Sequence, residues 1–437
     1  MGKLIRIGLA GLGNVGAGVY KNLEKNREIL IDRTGFELKI ARIALRDPDR
    51  PRPIAYDRGL VTTDWRELLN DPELAIIVEL IGGTSEAKEL VEAAIRAGKT
   101  VVTGNKALLA EHGQEIIALS EKHKVPLYFE AAVAGGIPII KAVREALVGN
   151  RITSIFGILN GTCNYILSRM TDAGLSYEAA LDEAQEKGYA EADPTLDING
   201  MDAAHKAIIL AWLSYGVWVK PEEILVEGVD SIRASDIFYA AQLGYIIKLL
   251  GVIRKDERDC IEVRVQPTLI PEEHILASVN GVFNALAVTG DVVGETLFYG
   301  GGAGMDATSS SVISDLADAA GHLPSGHGNE GFVPQGVYGS AMPSEEITCE
   351  FYLRLAVQDR PGVIAQITRV LADHRIGIRS LVQPVAEPEE GQDAELMLML
   401  HRAKHGQMKQ AAQEIAALDC TLAQPVLMPV ESLGQKA

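Results

Sequence analysis

Apolar and polar positions change period along the chain, and the changes mark out its elements. Residues 4–10, LIRIGLA, form an apolar run of strand length, and GLGNVGAGVYKNLEK follows at once with helical spacing. A second strand is expected from Leu38 to Leu45. LAIIVELIGG (74–83) and KTVVTGN (99–105) then bracket the helical stretch Ser85–Ala97, and VPLYFEAAV (125–133) reads as one more strand. Strand and helix in alternation predict a doubly wound parallel sheet, an α/β fold.

The rhythm changes near Ile152. ITSIFGILNGTCNYIL (152–167) reads as a strand, a glycine-containing turn and the start of a helix. Further strands are expected over CIEVRVQPTLI (260–270) and VFNALAVTG (282–290), with a late helix near 305–320. This is an α+β region able to build its own sheet and to cover the first one. Residues 321–346 are rich in Gly, Ser and Pro without periodicity, and read as a linker. Beyond it, ITCEFYLRLAV, the turn DRPG and VIAQITRVLADH make a strand, a turn and a helix. Strands around 376–383 and 394–400, a helix around 407–418 and a strand near 421–429 complete the order βαββαβ, a ferredoxin-like unit. The expected domains are therefore 1–138, 139–320 and 347–430, with the helix near 305–320 packing back on the first.

Composition narrows the class of partner. The 437 residues carry a net charge of −18, which argues against nucleic acid or an anionic membrane surface as a partner. No apolar segment reaches the ~18 residues a membrane helix needs. The four cysteines lie far apart and offer neither a metal pair nor a disulfide framework. The opening reads as a strand rather than a secretory signal, so a reduced, cytoplasmic setting is expected.

Two segments carry candidate chemistry. Gly11, Gly13 and Gly16, with Leu12, Asn14 and Val15 between them, form GxGxxG directly between a strand and a helix. Glycines there permit a tight turn and bring a pyrophosphate onto the amides of the helix N-terminus. At the end of the second strand, ALRDPDRPR places Arg46 where an NAD-preferring domain carries an acid, with Arg50 and Arg52 close by. That favours a 2′-phosphate and hence NADP, while Asp47 leaves NAD open. Gly82, Thr103, Asn105 and Lys106 fall at C-terminal strand ends, where such a sheet gathers its active groups. A later glycine cluster ahead of the 305–320 helix contains Gly302 and Gly304, which could admit a cofactor closely or serve as simple turns.

The second segment is AQEKGYAEADPTLDINGMDAAHK (184–206), where Glu191, Asp193, Asp197 and Asp202 gather ahead of Lys206. Asp202 and Lys206 are four apart and share a helix face, with the apolar run AIILAWL behind them. An isolated DxxxK pair is usually a solvated helix face. Here Gly188, Asp193–Pro194 and Gly200 shape a loop into the helix, and four carboxylates held together need cations. A substrate ammonium and Lys206 would supply them, which points to an amine-bearing substrate and a proton-transfer group.

These segments, together with TGNKALLA, EAAVAGGIPII and GILNGTCNYIL, resemble homoserine dehydrogenases with a C-terminal ACT domain, over nearly the whole chain. DRPGVIAQITRVLADHRIGI resembles the opening of an ACT domain, a small-molecule sensor unit. The resemblance implies reversible reduction of L-aspartate 4-semialdehyde to L-homoserine by NAD(P)H, in threonine, methionine and isoleucine biosynthesis. It implies Lys206 as proton donor in reduction and acceptor in oxidation, and Lys106 as the group that polarises the carbonyl or assists proton transfer. Glu191 and Asp202 would hold the substrate. Thr103, Lys106, Gly188 and Gly302 would join the GLGNVG residues and Arg46 at the cofactor. Glu130 and the carbonyls of Val133, Gly135 and Ile137 would match the family's monovalent cation site, usually sodium. Asp359, Gly362 and Val363 would face an amino-acid effector, expected to be threonine, and a homodimer or homotetramer is expected. One departure stands out: where the family commonly reads GRGAGxxPT, this chain has Gly300 to Gly304 and then Ala307-Thr308. The alternative is a regulatory protein that binds nucleotide and amino acid without catalysis, against which the intact acid–lysine set argues.

Overall fold

The computed structural model describes residues 2–191, 193–323, 339–383 and 393–433. The chain divides into two compact units. The first gathers Met1–Ile155, His205–Glu222 and Asn284–Gly339; the second gathers Phe156–Ala204, Glu223–Phe283 and Ser340–Ala437.

The first unit contains strands β1 (Lys3–Ala10), β2 (Phe36–Ala44), β3 (Val61–Thr62), β4 (Leu74–Glu79), β5 (Thr100–Thr103) and β6 (Leu127–Tyr128). They form a parallel sheet in the order β3-β2-β1-β4-β5-β6, with the reversal beside β1 that the doubly wound pattern requires. β1 is buried on both faces in its second half, which explains the unbroken apolar run there. The crossover helix Ser85–Arg96 buries Ala87, Leu90, Val91, Ala94 and Ile95, spaced so that one stripe faces the sheet. Late in the chain, the helix Met305–His322 adds Val312, Leu316, Ala319 and Ala320 to the same core as Ile5, Ile7 and Leu9. Lys21 and Asn22 of the helix Asn14–Lys25 reinforce this packing by donating to Asp306 at 2.5 and 3.0 Å.

The stretch VPLYFEAAV departs from expectation. Only Leu127–Tyr128 is strand, and Glu130–Ala132 winds into a tight helical turn before Ala134 and Gly135 adopt consecutive left-handed conformations. An apolar run alone does not separate a buried strand from a buried turn.

The remaining strands are β7 (Ile152–Ile158), β8 (Leu225–Val226), β9 (Tyr245–Lys255), β10 (Cys260–Pro271), β11 (Phe283–Gly290), β12 (Gly294–Gly301), β13 (Ser340–Ala341), β14 (Thr348–Gln358), β15 (Ile378–Val382), β16 (Asp393–Lys404) and β17 (Val426–Val430). In the second unit, β9-β10-β17-β14-β16-β15 run side by side, with β8 and β13 also paired to β10. The portion β17-β14-β16-β15 is antiparallel and carries the helices Val363–Asp373 and His405–Ala416, which is the expected ferredoxin-like arrangement. Its core joins Phe351, Leu353 and Leu355 of β14 to Ile367, Leu371, Met408 and Ile415 of the helices. Of the expected linker, residues 324–338 lie outside the described residues, while β13 and a short turn at Ser344–Glu346 occupy its end. Among the described residues, no helix is long and apolar enough to cross a membrane.

Candidate functional site

The three motif glycines have separate jobs. Gly11 turns the chain at φ +96°, and a methyl on it would lie 2.4 Å from the Leu80 carbonyl oxygen. A methyl on Gly16 would lie 2.1 Å from the Gly11 carbonyl oxygen, so this glycine lets the helix Asn14–Lys25 close against the turn. Gly13 caps that helix, and a methyl there would meet nothing within 4 Å. That open face before the first helical amides of Asn14, Val15 and Gly16 is where a pyrophosphate fits. A cleft of about 350 Å³ continues past Leu12, Leu45, Arg46, Arg50 and Arg52. Asp47 spends its carboxylate on the amides of Asp49 and Arg50, whereas Arg46 is largely exposed and pairs with Glu86 at 2.7 Å. Arg52 is anchored by the carbonyls of Leu12 and Asp47 at 3.2 and 2.8 Å. The acid is turned into its own loop and the cations line the cleft.

The strand ends hold a residue that the sequence did not single out. Glu79, the last residue of β4, is fully buried and accepts from the Thr103 hydroxyl at 2.5 Å, the Ile81 amide at 2.9 Å and the Asn105 amide group at 3.4 Å. Burial pushes its carboxyl above the usual carboxylate range, against these hydrogen bonds. Asn105 also donates to the Gly83 carbonyl at 2.7 Å and accepts from the Leu108 amide, capping the helix Lys106–His123. Lys106, half-buried, is the first residue of that helix, so Glu79, Thr103 and Asn105 fix where it starts.

The acidic segment is organised by another side chain that sequence reasoning missed. Asn160 caps the helix Gly161–Ala173 by accepting from the Cys163 amide at 2.8 Å. Its amide group donates to Asp197 and to Asp202, both at 2.9 Å, and so bridges two carboxylates. Thr162 donates to the Tyr189 carbonyl at 2.8 Å and lies 3.2 Å from Asp197. An Asn ahead of an apolar helical run was a legible cap signal in LNGTCNYIL; its bridge to the acids was not. Asp193 accepts from the amide and hydroxyl of Thr195, just ahead of the short helix Thr195–Ile198. Gly188 follows the helix Tyr177–Glu186 in a left-handed conformation, φ +72°, and thereby ends it. Lys187, Arg169 and Tyr165 all hydrogen-bond Glu183 in that helix, and hold its carboxyl down at about 2. Glu191 is exposed, with its carbonyl accepting from Gln185; Ala192 lies outside the described residues. Asp202 and Lys206 stand one turn apart on the helix Met201–Tyr215, and Lys206 is only 7% exposed.

Around Glu130 two buried carboxyl groups take up backbone amides. Its two carboxylate oxygens each accept one amide, from Ile140 and Lys141 at 2.9 Å, and burial pushes the carboxyl up to about 7. Asp315 accepts from the Glu130 amide at 2.8 Å and is raised to about 8 by burial and then by the charge of Glu130. The Gly135 carbonyl accepts from Ser311 at 2.6 Å, and the Ile137 carbonyl from the Ile139 amide at 2.8 Å. Each of these oxygens has one protein donor and keeps a lone pair. Gly302 packs against this turn: its carbonyl lies 2.5 Å from where a methyl on Gly135 would sit, and a methyl of its own would strike Asn284.

In the ferredoxin-like C-terminal module, Gly362 is left-handed at φ +92° and caps the helix Val363–Asp373. Asp359 is exposed with Gln383 at 3.5 Å, while the Val363 side chain belongs to the module's core.

Family models match three stretches of the chain. A homoserine dehydrogenase model matches residues 138–317, a homoserine dehydrogenase NAD-binding domain model matches 11–130, and an ACT domain model matches 351–420. The chain is 44% identical to the homoserine dehydrogenase of Pseudomonas aeruginosa, over 99% of this chain and 100% of the relative. It is also 44% identical to that of Neisseria gonorrhoeae, over 99% of each. A crystal structure of a homoserine dehydrogenase from Thiobacillus denitrificans superposes with TM-score 0.92 at 44% identity, covering 99% of both chains. A hyperthermophilic archaeal homoserine dehydrogenase in complex with NADPH matches with TM-score 0.62 at 27% identity, over 72% of this chain and 98% of that one. With two family models over the first three quarters of the chain and relatives 44% identical along its length, the chain belongs to the homoserine dehydrogenase family.

Proposed function

We propose that this oxidoreductase interconverts L-aspartate 4-semialdehyde and L-homoserine with Lys206 as its proton-transfer group. The observation that carries the assignment is the buried Lys206 one turn after Asp202, on a helix whose entry Asn160 holds through Asp197 and Asp202. The nicotinamide cofactor supplies hydride in reduction and takes it up in oxidation. As hydride reaches the aldehyde carbon, the carbonyl π electrons move onto oxygen, and the Lys206 ammonium delivers the proton that makes the alcohol. In oxidation the neutral amine takes the hydroxyl proton back. Lys106, at the start of its helix, polarises the same oxygen, and Asp202 and Glu191 hold the substrate ammonium.

The cofactor is NADP on this reading, because Arg46, Arg50 and Arg52 line the cleft while Asp47 is occupied by its own loop. Thr103, Gly188 and Gly302 are assigned to the cofactor beside the GLGNVG residues. Glu130 with the carbonyls of Val133, Gly135 and Ile137 would hold a sodium ion that stiffens the turn. Threonine is the proposed effector, received where Asp359, Gly362 and Val363 open the module's first helix. Leu297 and Tyr299 are exposed on β12, 38% and 54%, and support association into a dimer, with a tetramer if the ACT modules also pair.

A steady-state assay of homoserine oxidation with each cofactor, with and without threonine, tests the reading. The expected result is a kcat/KM about tenfold or more higher with NADP than with NAD, the worth of one charge-assisted contact, together with inhibition by threonine. A preference for NAD would overturn the role of the arginines. No homoserine-dependent reduction of either cofactor would favour a non-catalytic binding protein.

A further inference from the structure

β10 touches both the regulatory module and the approach to the substrate helix. At its far end it pairs with β17: Leu269 stands opposite Val430, and the Glu431 amide donates to the Leu269 carbonyl at 3.0 Å. Nearer its middle it pairs with β8, with Arg264 opposite Leu225 and Val265 opposite Val226. The Glu227 amide extends that pairing to the Val265 carbonyl at 2.9 Å.

Alternate residues of β10, Glu262, Arg264, Gln266 and Thr268, are polar and buried. Arg264 is wholly buried and donates to Glu262 at 2.8 Å and to Glu431, just after β17. Arg254 of β9 donates to the same two acids at 2.6 and 2.8 Å. Two arginines and two carboxylates are thus closed on one another, and moving one partner without the others would leave a buried charge unpaired. Gln266 then donates to Glu227 at 2.8 Å, and Lys409 of the module's helix His405–Ala416 attracts the same carboxylate.

The next residue lies against the substrate loop. A methyl on Gly228 would sit 2.2 Å from the Ile198 carbonyl oxygen and 2.9 Å from the Asn199 Cα, and the Val229 amide donates to that Ile198 carbonyl at 3.0 Å. From the other side, a methyl on Gly200 would meet Val226 at 2.9 Å. Residues 198–200 join Asp197 to the helix that carries Asp202. With no slack at these contacts, a shift of β8 along β10 displaces the two acids that Asn160 holds.

We propose that the regulatory module acts on the substrate site through this ledge of β17, β10 and β8, with Gln266 and Glu227 as its positioning residues. The proposal rests on the reading that an amino acid binds the module, and it assigns the route by which that binding reaches Asp197 and Asp202. Coupling of two sites is reciprocal, so it can be read from either end.

The test compares full-length wild type with Gln266→Leu and, as a nearly isosteric second variant, Glu227→Gln. Threonine is the first probe, followed by the other amino acids. In at least one folded variant the concentration for half-inhibition should rise about tenfold or more, a loss of about 1.4 kcal/mol of coupling. Uninhibited kcat/KM should stay within about threefold, and saturating homoserine, which weakens effector binding to wild type, should no longer do so in the variant. Unchanged half-inhibition in both variants, with wild type inhibited, overturns the relay alone. A wild type insensitive to every amino acid overturns the regulatory reading and the relay with it.

Discussion

Backbone contacts build the glycine turn and side-chain contacts build the acidic loop. At GLGNVG, the contacts that matter are glycine against main chain: Gly11 against the Leu80 carbonyl and Gly16 against the Gly11 carbonyl, with Gly13 left open. In the acidic loop, the contacts run between side chains: Asn160 to Asp197 and Asp202, Thr162 beside Asp197, and Asp193 to Thr195. The first design admits no added volume at two of its glycines and keeps Leu12 between them in the core. The second depends on which group donates and which accepts. Substitutions should therefore separate the two regions by what they damage.

The largest effect is expected from volume. Gly16→Ala places a methyl 2.1 Å from a carbonyl oxygen, and overpacking of that kind costs about 1–3 kcal/mol. Thermal unfolding should show it without cofactor present. Gly13→Ala meets no protein atom, so its melting temperature should stay close to wild type while the KM for NADP rises. Equal loss of stability in both variants would break the division of roles among the glycines.

A smaller but more specific effect is expected at Asn160. Asn160→Ala removes a cap worth about 1 kcal/mol and the donor between two acids, and should raise the homoserine KM about tenfold through the exposed like charges. Asn160→Asp restores the cap, since Asp accepts from the Cys163 amide equally well, but adds a third carboxylate. Its stability should recover while its homoserine KM does not. Recovery of both would mean that Asn160 serves the helix alone.

The same contrast explains what the sequence made legible. A phosphate-binding turn needs glycine at fixed offsets between a strand and a helix, so local order alone identified it. The Asp202–Lys206 pair was legible because helical periodicity puts residues four apart on one face. Asn160 escaped because its partners lie 37 and 42 residues away, and nothing local signals such a bridge. Glu79 escaped for a related reason: in VELIGG it reads as one acid at a strand end, and only the fold brings Thr103 and Asn105 to it. VPLYFEAAV is strand only at Leu127–Tyr128, because its later apolar side chains are buried in a turn, where composition is the same. The family resemblance implies Gly188 and Gly302 at the cofactor, and each also has a backbone task, ending a helix in one case and packing on Asn284 in the other.

The central claim is that Lys206 moves the proton while the glycine loop holds the cofactor independently of it. The direct measurement is single-turnover reduction of L-aspartate 4-semialdehyde by NADPH in Lys206→Met, alongside NADPH binding by fluorescence. Turnover at least ~100-fold below wild type, with NADPH affinity unchanged, is the predicted result for loss of a general acid. Near-normal turnover would contradict the claim and remove Lys206 from the mechanism.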